Sequence, residues 1–278
     1  MKADLHIHSK FSDGSLGMED IIVQAKRTGV DIISITDHDT TASFSRASVL
    51  GHRYGVRVIP GIEISAWDVA RKNKVHILCF APAKPDRLEE VCRKSCDVRR
   101  QCANEMLKKV MQLYPITPES VAKYSTSSKS IFKQHILHAL IEYGYAKEFN
   151  GTTNDRLFNR KTGSCYVERE YPDVMYVLDL IHSAKGLAIM AHPFVYDNID
   201  LLIELAENGK IDGVEAFHYS AKSEQQLTLT EIAEKYKLIV TGGSDFHGLY
   251  NEVPSALGSL TTDKKNIDKI MKHFNSNS

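Results

Sequence analysis

No apolar run in the chain approaches the roughly 18–20 residues of a membrane span, and Met1 to Ser9 carry charge where an export signal needs an apolar stretch. A cytoplasmic protein without a membrane partner is expected. Net charge is absent too: 35 Lys and Arg balance 35 Asp and Glu across 278 residues, which removes the global field a general nucleic-acid binder uses. Any charged partner must be met by a local patch. Cysteine is sparse and irregular, with five residues (Cys79, Cys92, Cys96, Cys102, Cys165) and no C-x-x-C pair. That excludes a disulfide framework and a cysteine-rich zinc staple. Cys92 and Cys96, at i and i+4, could share a helix face as soft ligands but are read as small apolar residues. A G-x-S-x-G elbow is missing, as is a Cys in a Gly-rich loop, so neither of these nucleophile motifs is present. Repeats are missing, and low complexity is confined to the polar stretch Ser125–Ser130.

Histidine, by contrast, is plentiful: 12 residues in all. Imidazole is the commonest metal ligand and the usual proton carrier near neutrality. The framework around these residues alternates short β-branched runs with helical patterns, at 2–8, 18–28, 31–37, 42–54, 56–65 and 75–80, then again at 173–185, 187–191, 199–208, 212–217, 223–236 and 238–241. This predicts an α/β fold with a parallel sheet. Gly29, Gly55, Gly186 and Gly209 stand where helix C-caps are required. Between about 86 and 166 the alternation lapses into a long helical pattern, two prolines (Pro115, Pro118) and a second helix near 130–143. Residues 99–166 hold 11 Lys and Arg against 5 Asp and Glu, a basic helical insertion over a more acidic remainder.

Asp4-Leu5-His6-Ile7-His8 alternates polar with apolar, so on a strand both imidazoles face one way. Asp4 shares that face and is suited to hold an imidazole's orientation as a carboxylate partner. Four more apolar runs end in metal-binding residue types: Thr36-Asp37-His38-Asp39, Gly61-Ile62-Glu63-Ile64-Ser65, Ala191-His192-Pro193 and Gly243-Ser244-Asp245-Phe246-His247. In an α/β barrel such strand ends converge on one rim. His76 begins its run instead of ending it. An antiparallel hairpin of 61–67 with 74–80, with Trp67 opposite Lys74, would put Ser65 opposite His76 and Glu63 on the same face.

The segments D-L-H-I-H-S, S-D-G, T-D-H-D, G-I-E-I-S, K-V-H-I-L, A-H-P and G-S-D-F-H, in this order, resemble the PHP (polymerase and histidinol phosphatase) metal-dependent phosphoesterases and span residues 4 to 247. The resemblance implies a distorted, TIM-like (β/α)7 barrel from 1–98 and 167–278, with 99–166 as an inserted helical cap. It implies two to three divalent ions. His6, His8, Glu63 and Asp245 would hold one; Glu63, His76 and His192 a second; Asp13, His38 and His247 a third. Mixed imidazole and carboxylate donors suit Mn²⁺, Fe²⁺ or Zn²⁺ better than Mg²⁺ or Ca²⁺. The implied nucleophile is a metal-bound hydroxide, with His218, at the end of an apolar run, a candidate general acid.

Within the family the insertion is similar to that of enzymes acting on nucleoside 3′,5′-bisphosphates and short 5′-phosphorylated oligonucleotides. Arg99, Arg100, Lys133, His135 and Tyr166 are the candidate substrate contacts. Relatives usually have Arg and Pro where this chain has Lys133 and Gln134, which exchanges a bidentate guanidinium for a point charge. The partner expected is a small phosphorylated molecule, a nucleotide, rather than a long duplex, and nothing implies an obligate protein partner. Histidinol-phosphate phosphatase, a phosphodiesterase or exonuclease, and a non-catalytic metal-binding module are the alternatives. His52, His182 and His273, on predicted helices, read as structural, as does His138 in the cap.

Overall fold

The run Ala3-Asp4-Leu5-His6-Ile7 forms strand β1 (Ala3–Ile7), buried along its whole length as a strand covered on both faces must be. In this computed structural model, which describes residues 1–251, 253 and 255–277, β1 pairs in parallel with β2 (Ile32–Ile35), and β2 with the short β3 (Arg57–Val58). A second sheet follows in the order β4 (Gly61–Asp68), β5 (Asn73–Phe80), β6 (Leu187–Met190), β7 (Gly213–Phe217) and β8 (Ile239–Gly242). The hairpin has the expected register, with Trp67 opposite Lys74 and Ser65 opposite His76. The sheet is not wholly parallel: β5 runs antiparallel to both β4 and β6. The chain reverses in the tight turn after Asp68, which leaves no length for a crossover helix.

Single bridges join the sheets, Ile7 to Phe246 on one side and His38 to Glu63 on the other. Their facing surfaces share one core, in which Leu5 and Ile32 of the first sheet meet Leu78, Phe80 and Ile189 of the second. Outward, α1 (Met18–Arg27) and α2 (Phe44–Tyr54) cover the first sheet, while α7 (Val174–Ser183), α8 (Ile199–Glu207) and α9 (Ser223–Tyr236) cover the second. α10 (Lys264–Asn277) packs Ile267 and Ile270 against the shared core. Among the described residues no helix is long and apolar enough to cross a membrane.

Gly29, Gly55 and Gly209 take the left-handed conformation expected of C-caps. Gly186 does not. Lys185 has the positive φ there, and Gly186 is needed because a Cβ would lie 2.5 Å from Cys79 Sγ.

The insertion contains four helices: the long α3 (Glu89–Met111), α4 (Pro118–Ser125), α5 (Lys133–Glu142) and α6 (Thr152–Phe158). Leu107, Val110, Val121, Ile136, Leu140 and Phe158 build a hydrophobic core separate from those of the sheets. α3 belongs to both regions, since Val91 and Cys92 pack against α7 and β5 while Leu107 and Val110 enter the insertion's core. The step at residue 99 therefore falls inside one continuous helix.

Candidate metal centre and its cavity

Strand alternation puts His6, Glu63 and His76 on the inner face, and strand ends add His8, His38, His192, Asp245 and His247, while Asp13 comes from the loop after β1. His192 and Asp245 have φ of 27° and 48°. Such strained turns cluster where a side chain must be aimed at a site. Gly243 lets the β8 loop pass His6, because a Cβ there would lie 2.4 Å from that of His6.

The nine residues form overlapping groups in which each offers a donor atom within 4.8 Å of the others: His6, His8 and Asp245; His6, Glu63 and His192; His38, Glu63 and His76; and His8, Asp13, His38 and His247. Glu63 is central. Its Oε2 lies 3.4 Å from His6 Nε2, 3.3 Å from His8 Nε2 and 3.1 Å from His38 Nδ1, while Oε1 lies 2.6 Å from His76 Nδ1 and 3.1 Å from His192 Nε2. Asp245 Oδ1 is 3.1 Å from His8 Nε2 and 3.3 Å from His6 Nε2. Donors about 2.0–2.2 Å from one ion stand about 3–3.5 Å apart from each other. Buried atoms without a hydrogen-bond partner include His6 Nε2, both nitrogens of His8, Asp13 Oδ1 and His38 Nδ1. Unpaired buried polar atoms are costly, and these fit a set of divalent ions.

The electrostatics agree. Burial opposes charge on His6, but the carboxylates of Glu215, Asp245 and Glu63 outweigh it and hold the imidazole well above its ordinary pKa. His8 is pushed up to about 10 by Asp245, Glu63 and Asp13 against the same burial. Glu63, Asp13 and Asp245 lie well below the carboxylate range, because the imidazoles around them overcome their burial. His76 falls to about 3, chiefly by burial. Carboxylates that hold protons on two buried imidazoles can hold divalent cations in place of those protons.

The carboxylate that orients His6 is Glu215, not Asp4. Glu215 Oε1 lies 2.9 Å from His6 Nδ1, and Oε2 accepts from His192 N at 3.0 Å. Asp4 instead accepts from Ser244 N, Ser244 Oγ, Gly258 N and the backbone N of His6, and so pins the loop after β8 to β1. It faces the backbone because the β8 loop passes beneath the ring of His6. Glu215 stands on the inner face of β7 in Gly213-Val214-Glu215-Ala216-Phe217, a buried acid in an apolar run that the sequence did display. His218 is buried, with Nδ1 2.7 Å from Ser220 Oγ and Nε2 3.2 Å from Asp245 Oδ2.

Above the cluster opens a cavity of about 710 Å³. Of the sequence candidates, Arg99, Lys133 and Tyr166 line it, and Arg100 and His135 do not. Arg100 is exposed and pairs with Asp97 at 3.2 Å, one helical step round α3 from Arg99. His135 is buried; its Nδ1 accepts from Phe132 N at 3.2 Å, so the side chain caps α5. The sequence reading missed Lys74 and Arg169, which line the wall beside Arg99. Arg99 donates to Asp39, and Arg169 stands 3.9 Å from the same carboxylate and 4.2 Å from the centre of the Tyr171 ring. Lys74 Nζ donates to Tyr196 Oη at 3.2 Å. Two guanidinium groups thus meet Asp39 with Lys74 beside them, and Lys74 is pushed down to about 7 by burial and by Arg169 and Arg99. Lys74 was legible, standing two residues before His76 on the same face of β5. Arg169, in an irregular segment, carried no periodic signal.

A phosphoester-cleaving site needs clustered cations over which phosphoryl charge can spread, and this floor and wall define that class of protein. The family that matches is the PHP domain, over residues 4–277, and the chain belongs to it as a phosphoester hydrolase. It is 36% identical over 260 residues to phosphoribosyl 1,2-cyclic phosphate 1,2-diphosphodiesterase of Eggerthella lenta, covering 91% of this chain and 97% of that one. It is 27% identical over 255 residues to 3′,5′-nucleoside bisphosphate phosphatase of Chromobacterium violaceum, covering 88% and 86%. A solved structure from Bifidobacterium adolescentis, described as a metal-dependent phosphoesterase, superposes with a TM-score of 0.89 at 27% identity, covering 98% of this chain and 96% of that one.

Proposed function

We propose that the protein hydrolyses a phosphoester on a small pentose phosphate that carries a second phosphate. The reacting phosphate sits on the nine-residue floor, and the second lies against Lys74, Arg99 and Arg169. The observation that carries this reading is the group of three basic side chains on the wall, Arg99 and Arg169 beside Asp39 and Lys74 in the field of Glu63 and Asp39. Two to three divalent ions, Mn²⁺, Fe²⁺ or Zn²⁺, would be held by the three ligand sets implied in the sequence, with Glu63 in two of them. Bound there, they would supply Lewis acidity at phosphorus and acidify a water. Glu215 fixes the ring of His6. His218 lines the cavity with its ring nitrogens against Ser220 and Asp245; it orients Asp245 and stays the candidate general acid. Lys133 and Tyr166 contact the substrate from the cap, whereas Arg100 and His135 lie outside the cavity.

Nucleoside 3′,5′-bisphosphate remains the leading substrate, supported by the aromatic side chains of Phe132, Tyr166 and Tyr171 along the cavity, surfaces on which a base stacks. A second reading, a phosphoribosyl cyclic phosphate, is favoured by the relative at 36% identity. Both names describe a phosphorylated pentose with a second phosphate. Residues 1–98 and 167–278 are read as a distorted (β/α)7 barrel closed at the two bridged seams, with 99–166 as the cap. Five free thiols, four of them buried, suit the cytoplasm.

The test is phosphate release by the Mn²⁺-loaded protein from adenosine 3′,5′-bisphosphate, phosphoribosyl 1,2-cyclic phosphate, AMP and histidinol phosphate. Preference for either doubly phosphorylated compound supports the reading and chooses between its forms. Preference for AMP or histidinol phosphate removes the wall from substrate binding.

A further inference from the structure

The ligands of the floor are delivered in two ways. His6, Glu63 and His76 stand within strands, whereas Asp13, His38 and His247 stand on connecting segments, and each of these segments is fastened to the cap. Beside Asp13, the carbonyls of Phe11 and Ser12 accept from Lys129 N at 3.1 Å and Ser128 Oγ at 2.8 Å. Beside His38, Asp39 accepts from Arg99 of α3, and its carbonyl takes Cys96 Sγ at 3.4 Å. Beyond His247, Asn251 accepts from His247 N through its side chain and from Asn150 Nδ2 through its carbonyl at 2.7 Å. Next to it, Tyr250 Oη lies 2.8 Å from Nδ1 of His138 in α5. His6, His192 and Asp245 also have partners outside the cap: Glu215 meets His6 Nδ1 and His192 N, Glu63 meets His192 Nε2, and His218 meets Asp245.

We propose that Ser128 and Asn150 are positioning residues for the ion held by Asp13, His38 and His247, so that seating of the cap and occupancy of that one ion site are coupled. The proposal rests on the reading of the floor as a metal centre. Single bridges at His38 and Phe246 are the ladder pairing these segments have, so their ligand atoms depend also on how the neighbouring residues are held, and partners behind ligands commonly set metal affinity within 10–100-fold. The coupling is reciprocal: whatever the cap contributes to ion affinity, the ion contributes to cap seating. The polar stretch Ser125–Ser130, unremarkable in sequence, acquires a role as the clasp on the Asp13 loop.

The experiment is Mn²⁺ titration of the full chain with stoichiometry by elemental analysis, comparing wild type, the double variant Ser128→Ala/Asn150→Ala and Val121→Ala, which thins the cap core without touching the clasp. The expected result is about a tenfold loss of affinity for one ion in the double variant, with the remaining ions and the Val121→Ala protein unchanged. Amide exchange at residues 128–130 and 150 should slow when Mn²⁺ is added. Unchanged affinities in the double variant, equal losses at every ion, or as large a loss in Val121→Ala would each overturn the coupling while leaving the metal centre standing. A wild-type protein that binds no divalent ion would overturn both.

Discussion

The floor of the cavity is carried by strands and their ends, and the wall facing it by α3, the start of β5 and the irregular segment 166–171. On the floor nine donor groups crowd within a few ångströms, with imidazoles set against carboxylates throughout. On the wall Arg99 and Arg169 meet one buried carboxylate, Asp39, with Lys74 beside them, so basic side chains outnumber acidic ones there. The difference teaches a division of labour. Strands and their ends gather the floor's imidazoles and carboxylates, while α3, the start of β5 and the segment 166–171 together bring basic side chains to the wall.

The sharpest way to break this comparison is to change the centre of the floor. Glu63→Gln should cut turnover on the order of 10³-fold or more with far-UV circular dichroism unchanged; near-normal kcat would end the assignment of Glu63 as the shared ligand. Glu215→Gln tests the layer behind it and should lower metal affinity or kcat by about 10–100-fold, read by Mn²⁺ titration. If the variant matches wild type, the ring of His6 needs no such support.

On the wall, Arg169→Met should raise KM about tenfold and leave kcat within a few-fold, the signature of lost uniform binding. A fall in kcat at constant KM would move Arg169 from the wall to the chemistry. Lys74 adds a pH dependence with a defined sign: its charge is present below its depressed pKa of about 7 and lost above it. KM should therefore rise between pH of about 6 and about 8, and the rise should vanish in Lys74→Met. The smallest effect is expected for Arg100→Ala, which removes an exposed side chain paired only with Asp97. KM and kcat should stay within about twofold, since surface substitutions are usually near neutral; a tenfold change in KM would bring Arg100 into the cavity.

The floor could be read from the sequence because two simple periods carry it. Alternation places His6 and His8 together, convergence of strand ends gathers His38, His192, Asp245 and His247, and the hairpin register sets His76 beside Glu63. The wall could not. Whether Arg99 or Arg100 faces the substrate depends on the rotation of α3 about its axis. That rotation is set by packing of Val91 and Cys92 at one end and Leu107 and Val110 at the other. His135 is the type of residue a phosphate site uses, yet a local hydrogen bond to Phe132 N commits it to capping a helix.

The sequence by itself determined the donor set, its grouping on successive strand ends and the basic character of the insertion, because coordination and charge depend on residue type and on short, regular spacing. Only the tertiary structure decided that Glu215 and not Asp4 holds His6, that Lys74 and Arg169 complete the wall, and that the cap grips the segments bearing Asp13, His38 and His247. Each of these is a contact between residues far apart in the chain, and its geometry depends on how whole elements pack, which no local pattern encodes.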